Sequence, residues 1–217
     1  MDGEAIDKAT YEQVEYPDDR VDDVLSCTTD TERQLVLGSS AAHGSDREVV
    51  DGSIAVVNAL LDRLGSFEAV SDDAVRSYYA DLYETTMLEG GFVRYLKVSG
   101  WRQDVTDAVL QGLQLMGADA HVSALREAIA GFEAQTPRTR RLLVEQGNDE
   151  VFVASDAQFT AAQEGEPIVV ANARWLREHP ALHVVGDASL DTALDIIVGA
   201  APEPAPGEGD EILRWKA

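Results

Sequence analysis

The stretch Met87-Leu-Glu-Gly-Gly-Phe-Val-Arg-Tyr95 marks the end of a helix. Apolar residues recur every three or four positions from Ser71 up to this stretch, which is the period of one helix face. The pair Gly90-Gly91 allows a positive φ, so it predicts that the helix stops there and that the chain turns. Phe92 and Tyr95 can then enter the core. We therefore favour a structural role for the two glycines over a ligand site.

Helical periodicity extends over most of the chain on both sides of this stretch. Besides the helix that begins at Ser71, we predict helices over residues 46–64, 104–116, 119–132, 137–144, 152–162, 168–178 and 187–198. Residues 92–98 fit neither the helical nor the strand period, and only residues 167–170 and 182–185 look β-like. The pattern predicts an all-α fold, a compact single-domain bundle of about seven or eight helices.

Composition divides the chain into three segments. Residues 1–45 are polar, contain four clustered aspartates and end in small residues, so we predict a mobile acidic arm with one short helix. Residues 46–199 form the predicted all-α domain. Residues 200–217 are a Pro/Gly linker followed by a C-terminal tail. This tail keeps Ile212, Leu213 and Trp215, with which it could dock on the core or on a second subunit.

The chain is strongly acidic. Its 217 residues include 40 Asp and Glu against 17 Lys and Arg, a net charge of −23. Phosphates are held by Lys and Arg, so this charge excludes direct nucleic-acid binding and favours a basic protein as partner. There is a second explanation, because only three of the 17 cationic residues are lysines. Such usage is typical of GC-rich coding or salt adaptation, which makes whole proteomes acidic.

Neither secretion nor membrane insertion is expected. The single cysteine, Cys27, excludes an intramolecular disulfide, and no apolar run approaches the length of a membrane span. We expect a cytoplasmic protein.

No convergent catalytic or metal-binding set is visible. There are four histidines, and His179 and His183 have the spacing of helical zinc ligands, but Pro180 interrupts the helix that this spacing needs. There is neither a phosphate-binding glycine loop nor a nucleophile elbow. We expect no enzymatic activity, no metal and no cofactor.

The basic cluster Arg138, Arg140 and Arg141 is unusual in so acidic a chain. We favour a role in neutralising nearby carboxylates, within the fold or across a dimer, over an anion-binding site.

Two sets of carboxylates are the candidate partner-binding residues. Asp187, Asp191 and Asp195 lie one above another on the predicted last helix, about 5–6 Å apart per turn. The second set, on the polar side of the helix that begins at Ser71, consists of Asp72, Asp73, Asp81 and Glu84. Together they predict an uneven acidic surface.

Three motifs carry a resemblance to a known family. The stretch around Gly90, Gly91, Phe92 and Tyr95 is followed by Ala108-Val-Leu-Gln-Gly-Leu-Gln-Leu-Met-Gly-Ala118 and Ala124-Leu-Arg-Glu-Ala-Ile-Ala-Gly-Phe132. Together they resemble the C-terminal-domain family of bacterial DNA-mimic proteins of DMP type. Gly117 and Ala118 match its second motif. Glu89 and Arg94 depart from the first motif, where the family has Asn and Gln. The resemblance spans about residues 46–183.

The resemblance implies an acidic, non-catalytic protein that stands in for duplex DNA at the site of a basic DNA-binding protein. The alternative is an immunity-type inhibitor that binds a toxin or enzyme by shape. A mimic needs rows of carboxylates, whereas an inhibitor needs one patch around an apolar anchor. The resemblance also favours a homodimer, and so do the apolar surfaces of Trp101, Trp175 and Trp215.

Overall fold

The fold is given by a computed structural model that describes residues 35–65, 67, 70–146 and 150–200. The elements in chain order are β1 (Leu35–Gly38), α1 (Ser39–Ala42), α2 (Asp46–Leu64), α3 (Asp72–Ser99), α4 (Gln103–Leu115), α5 (Asp119–Glu133), α6 (Pro137–Gln146), α7 (Val153–Gly165), α8 (Ile168–Glu178), β2 (Leu182–Val185), a 3-10 turn (Asp187–Ser189) and α9 (Leu190–Ala200). The predicted all-α class is confirmed. The described part contains nine α-helices and a single pair of short strands.

Helix α3 lies at the centre of the bundle, packed against α2, α4, α6, α7 and α8. Its aromatic side chains Tyr78, Tyr83, Phe92 and Tyr95 are fully buried. Burial of one such side chain contributes roughly 1.5–3 kcal/mol, so α3 supplies a large share of the core. Residues 92–98, which fitted neither period, form the last part of this helix.

Local sequence signals fix the ends of α2. The Ser45 side chain accepts a hydrogen bond from the Glu48 N–H while the Glu48 carboxylate accepts one from the Ser45 N–H, a capping box. The N-cap is therefore Ser45, and the helix begins at Asp46, the first residue of the predicted range. Gly65 ends the helix with a φ of 75°.

The two strands pair in parallel, with Leu35 opposite Leu182 and Gly38 opposite Val185. The β-like pattern over residues 182–185 is confirmed, but the one over 167–170 is wrong. Pro167 is an N-cap with a ψ of 144°, and α8 begins directly after it. Proline at a helix start and branched residues in a first turn imitate a strand in sequence.

Strand β1 corrects the predicted extent of the arm. Residues 35–45 were assigned to the mobile arm, yet Val36 and Leu37 are buried and β1 and α1 pack on α2. This segment therefore belongs to the fold. Residues 1–34 of the predicted arm and residues 201–217 of the predicted linker and tail lie outside the described residues.

None of the described helices combines the length and the apolar character that crossing a membrane requires.

Candidate functional site

The predicted acidic residues separate into an exposed and a buried group. Asp187, Asp191 and Asp195 are exposed, and so is Asp72. Asp81 and Glu84, by contrast, are only 2% and 1% exposed. Their expected place on a solvent-facing side of α3 is wrong, because α3 is surrounded by other helices and has no wide polar face.

Arg47 neutralises the buried carboxylates. Its guanidinium lies 2.7 Å from the Asp81 carboxylate and 3.5 Å from that of Glu84, and it also reaches the more exposed Asp51 at 3.3 Å. Burial would lower the pKa of Arg47, but attraction and hydrogen bonding to Asp81 outweigh burial and raise it. A single cation on α2 thus holds two carboxylates of α3.

Glu84 also fixes the start of α8. Its carboxylate accepts a hydrogen bond from the Val169 N–H at 3.1 Å and another from the Gln163 side chain. A carboxylate suits the positive end of a helix. Burial raises the pKa of Glu84 above its ordinary value, although these two hydrogen bonds act against the rise. The contacts of Asp81 and Glu84 join α2, α3, α7 and α8, which is a structural role.

Two of the three carboxylates predicted on the last helix, Asp191 and Asp195, form a pair on α9. We call this pair the α9 surface. The Arg63 side chain lies 3.1 Å from Asp191 and 3.3 Å from Asp195. The two aspartates are 89% and 73% exposed, so solvent reaches both while Arg63 orders them. One helical turn separates them, as predicted.

Asp187 is not part of this helical row. It begins the 3-10 turn before α9, so residues 187–198 are not one continuous α-helix. Its carboxylate accepts hydrogen bonds from the backbone N–H and the hydroxyl of Ser40. These bonds lower the pKa of Asp187 and connect it to α1.

The first turn of α3 carries Asp72 and Asp73. Asp72 is exposed, whereas Asp73 lies 2.6 Å from Arg76 and 3.0 Å from the His179 ring. Of the predicted set, Asp72, Asp191 and Asp195 are therefore exposed, with Asp191 and Asp195 paired to Arg63 of α2.

The glycine pair interrupts α3. Gly91 has a φ of 65° and a ψ of −164°, a region open almost only to glycine, and a Cβ there would overlap the Asp156 carboxylate. Asp156, on α7, accepts a hydrogen bond from the Phe92 N–H at 2.9 Å. A carboxylate from α7 thus binds the N–H at the start of the second part of α3. Phe92 packs against Phe152, with ring centroids 4.9 Å apart.

A groove of about 370 Å³ opens beside this break. Met87, Phe159 and Leu88 supply its apolar surface, and Leu88 is 62% exposed. Asp156 and Glu164 supply carboxylates. The groove therefore combines an exposed apolar side chain with negative charge.

The family of DMP19-like proteins matches residues 68–179 of the chain. The chain belongs to this family. No curated protein and no solved structure matches it.

The match covers α3 to α8 of this DMP19-like protein and contains the motif residues. Gly117, with a φ of 72°, ends the turn after α4, and Ala118 is buried at the start of α5. The two residues that depart from the motif contact each other: the Arg94 guanidinium lies 3.0 Å from the Glu89 carboxylate, across the glycine break. An ion pair here takes the place of the Asn and Gln that the resemblance implies.

Sequence reasoning missed Arg47 and Asp156, the two partners that give the site its geometry. Arg47 lies 34 residues from Asp81, and Asp156 lies 64 residues from Phe92. No spacing rule connects residues so far apart. One signal for the burial of Asp81 was present, since apolar residues flank it on successive positions rather than on one face.

His121 and His179 belong to the packing of the helices. The His121 ring is buried and bonds to the Glu166 carbonyl at 2.9 Å, and burial lowers its pKa. Among the described residues no group of three or more His, Cys, Asp or Glu is placed to hold a metal ion.

Proposed function

We propose that this DMP19-like protein is an acidic, non-catalytic interaction protein that occupies the DNA site of a basic DNA-binding protein in the cytoplasm. Membership of the DMP19-like family is the observation that carries the proposal. The net charge of −23 supports it, because such a field attracts a basic partner and accelerates the encounter.

The carboxylates of the α9 surface support the proposal because their spacing is similar to that of DNA phosphates. Asp191 and Asp195 present carboxylates about one turn apart, roughly 6 Å along the axis, which is of the order of the charge spacing on DNA. Arg63 limits their side-chain freedom, so little further ordering is needed when a partner binds. Much of the remaining charge belongs to residues 1–34, which contain eleven acidic and three basic residues and strengthen the long-range field.

Competition with DNA tests the proposal. Proteins captured by the full chain from its native host are assayed for DNA binding by mobility shift, with increasing amounts of this protein. We expect displacement of DNA. Because neutralising the acidic protein releases fewer condensed counterions than neutralising DNA, its complex should weaken less steeply with salt than the DNA complex. A ternary complex with DNA at every salt concentration would contradict mimicry.

The α9 surface itself is tested by Asp191→Asn together with Asp195→Asn. We expect a lower association rate and nearly unchanged folding, since exposed carboxylates contribute only about 0–1 kcal/mol each. The matched control is Asp119→Asn with Glu133→Gln, which removes the same charge from exposed positions on α5. Equal losses for both double variants would show that only net charge matters.

The groove beside the glycine break supports the second candidate, an inhibitor that binds a toxin or enzyme by shape. Leu88 provides the apolar anchor, and Asp156 and Glu164 provide the surrounding charge. Leu88→Ser distinguishes the two functions. It should weaken an inhibitor complex by tenfold or more, whereas a DNA mimic that binds through α9 should keep its partner.

We also propose that the protein acts as a homodimer. Trp101 and Trp175 are only partly buried in one chain, and Leu115 and Val153 are 53% and 62% exposed. These surfaces offer apolar area to a second copy.

A further inference from the structure

A second cavity lies between the end of α3 and α6, with a volume of about 350 Å³. Its walls combine the rings of Trp101 and Phe132 with the side chains of Arg140, Arg141 and Val144. The two rings lie 4.4 Å apart between centroids and form an aromatic floor. The cavity is basic and aromatic in a protein that is otherwise acidic.

The arginines at this cavity form no ion pair with a carboxylate among the described residues. Arg47, Arg63, Arg76, Arg94, Arg102, Arg174 and Arg177 each form an ion pair, but among the described residues Arg138, Arg140 and Arg141 form none. The expectation that this cluster neutralises nearby carboxylates within the fold is therefore wrong for the described part of the chain. Glu145 lines the same cavity without forming an ion pair with Arg140 or Arg141.

Trp101 is held over the cavity by an unusual backbone. It has a φ of 56°, and no other non-glycine residue in the described ranges has a positive φ. Gly100 before it has a φ of 61°. Packing of the indole on Phe132 and Phe92 accompanies this conformation. Residues held in sparsely populated backbone conformations cluster at active sites and ligand-binding sites.

We propose that this cavity is the docking site of the chain's own C-terminal segment, residues 208–217. The segment reads Glu-Gly-Asp-Glu-Ile-Leu-Arg-Trp-Lys-Ala, so two adjacent carboxylates precede a tryptophan by four and five positions. Trp215 enters the cavity beside Trp101, and Asp210 and Glu211 pair with Arg140 and Arg141. Carboxylates and aromatic rings are the groups that arginines bind best.

Because the segment is attached to the same chain, weak contacts are enough to hold it in the cavity. Residues 201–207, which join α9 to this segment, contain three prolines and one glycine and span up to roughly 25 Å when extended. A linker of this length gives the segment a high effective concentration at its own cavity or at that of a second copy. Docking would also bring the carboxylates of the segment onto the basic cluster and so reduce the positive charge on this side of the protein.

A spin label tests the proposal in the full chain. Cys27→Ser removes the single cysteine, and Ala217→Cys introduces a site for a nitroxide. The indole N–H signals of Trp101 and Trp175 are assigned with Trp→Phe variants. We expect the oxidised label to remove most of the Trp101 intensity and to spare Trp175, which lies on α8.

Charge reversal identifies the contacts. Arg140→Glu with Arg141→Glu should restore the Trp101 signal, and adding Asp210→Arg with Glu211→Arg should remove it again. Arg126→Glu, at an exposed arginine outside the cavity, is the control and should change nothing. Thermal unfolding of each variant shows that it is folded.

Three outcomes decide between occupants. Loss of the Trp101 signal only when labelled and isotope-enriched chains are mixed supports docking between two copies. A Trp101 signal that is the same with oxidised and reduced label, within one chain and in the mixture, overturns the proposal. Loss caused by a label on the native Cys27 instead, with none from position 217, overturns it in favour of residues 1–34.

Discussion

Replacing Arg47 by methionine tests whether one cation stabilises the two buried carboxylates of α3. Methionine keeps much of the aliphatic length of the side chain and removes only the guanidinium. Asp81 and Glu84, which are 2% and 1% exposed, would then lose their ion pairs to this cation. We expect the variant to fold and to be clearly less stable at neutral pH.

The size of the loss follows from burial. Removing one partner of a buried ion pair typically costs about 3–5 kcal/mol, because a charge is left without compensation. Arg47 is itself 45% exposed, so water can partly replace it, and the lower end of about 3 kcal/mol applies. For a protein of this size that loss corresponds to a fall in Tm of about 6–12 °C.

The pH dependence gives a second test. Burial already raises the pKa of Glu84 above its ordinary value of 4.5, and loss of Arg47 raises it further. A carboxyl whose pKa is raised in the fold contributes stability below its unfolded pKa and loses it as pH rises through the folded pKa. The gap between wild type and variant should therefore be small near pH 4.5 and widen toward neutrality.

Urea denaturation followed by circular dichroism measures the difference. Arg126→Met is the matched control, since Arg126 is exposed and forms no ion pair within the described residues, and it should stay within about 0.5 kcal/mol of wild type. Adding Asp81→Asn and Glu84→Gln to Arg47→Met should recover most of the loss. A stability of Arg47→Met equal to that of the control at pH 7 would refute this reasoning.

Three further predictions concern backbone strain, pH and assembly. Gly91→Ala should destabilise by about 1–3 kcal/mol or more, because its conformation is open almost only to glycine and its Cβ meets Asp156, whereas Gly131→Ala in α5 meets no atom and should be neutral or stabilising in the same melts. Burial lowers the pKa of His121, so the stability that the neutral ring contributes is present above its ordinary value of 6.5 and is lost as pH falls below it. Wild type should therefore lose stability relative to His121→Gln below pH 6.5. Parallel pH profiles of the two proteins would contradict this. Sedimentation at micromolar concentration should give a dimer, and a single 23.5 kDa species would disprove it.

The helices were predictable because each carries its own periodic signal. The start of α6, the end of α2 at Gly65 and the break at Gly90-Gly91 all depend on residues within one or two turns. Local chemistry decides these features, so one sequence is enough to find them.

The candidate site was less predictable, because it depends on contacts between distant elements. A prediction from hydrophobic periodicity assumes that each helix has one buried side. It therefore assigns Asp81 and Glu84 to the exposed side of α3. Helix α3 is surrounded, and its carboxylates are accommodated by Arg47 of α2 and the start of α8. Strand β1 was missed for the same reason, since four residues become a strand only through pairing with β2.

The pairing of β1 with β2 joins two segments that are far apart in the sequence. Ser40 and Asp187, beside these strands, are 147 residues apart, and the entropy cost of closing so long a loop falls once the helices between them have packed. The parallel pair therefore adds a contact of long sequence separation to helices that also pack through contacts between neighbours in the chain. Residues 68–179, which match the family, lie between the two strands in sequence and do not include α2 with its Arg47. A fragment cut to residues 68–179 would therefore expose the faces of α3 and α8 that α2 covers in the full chain.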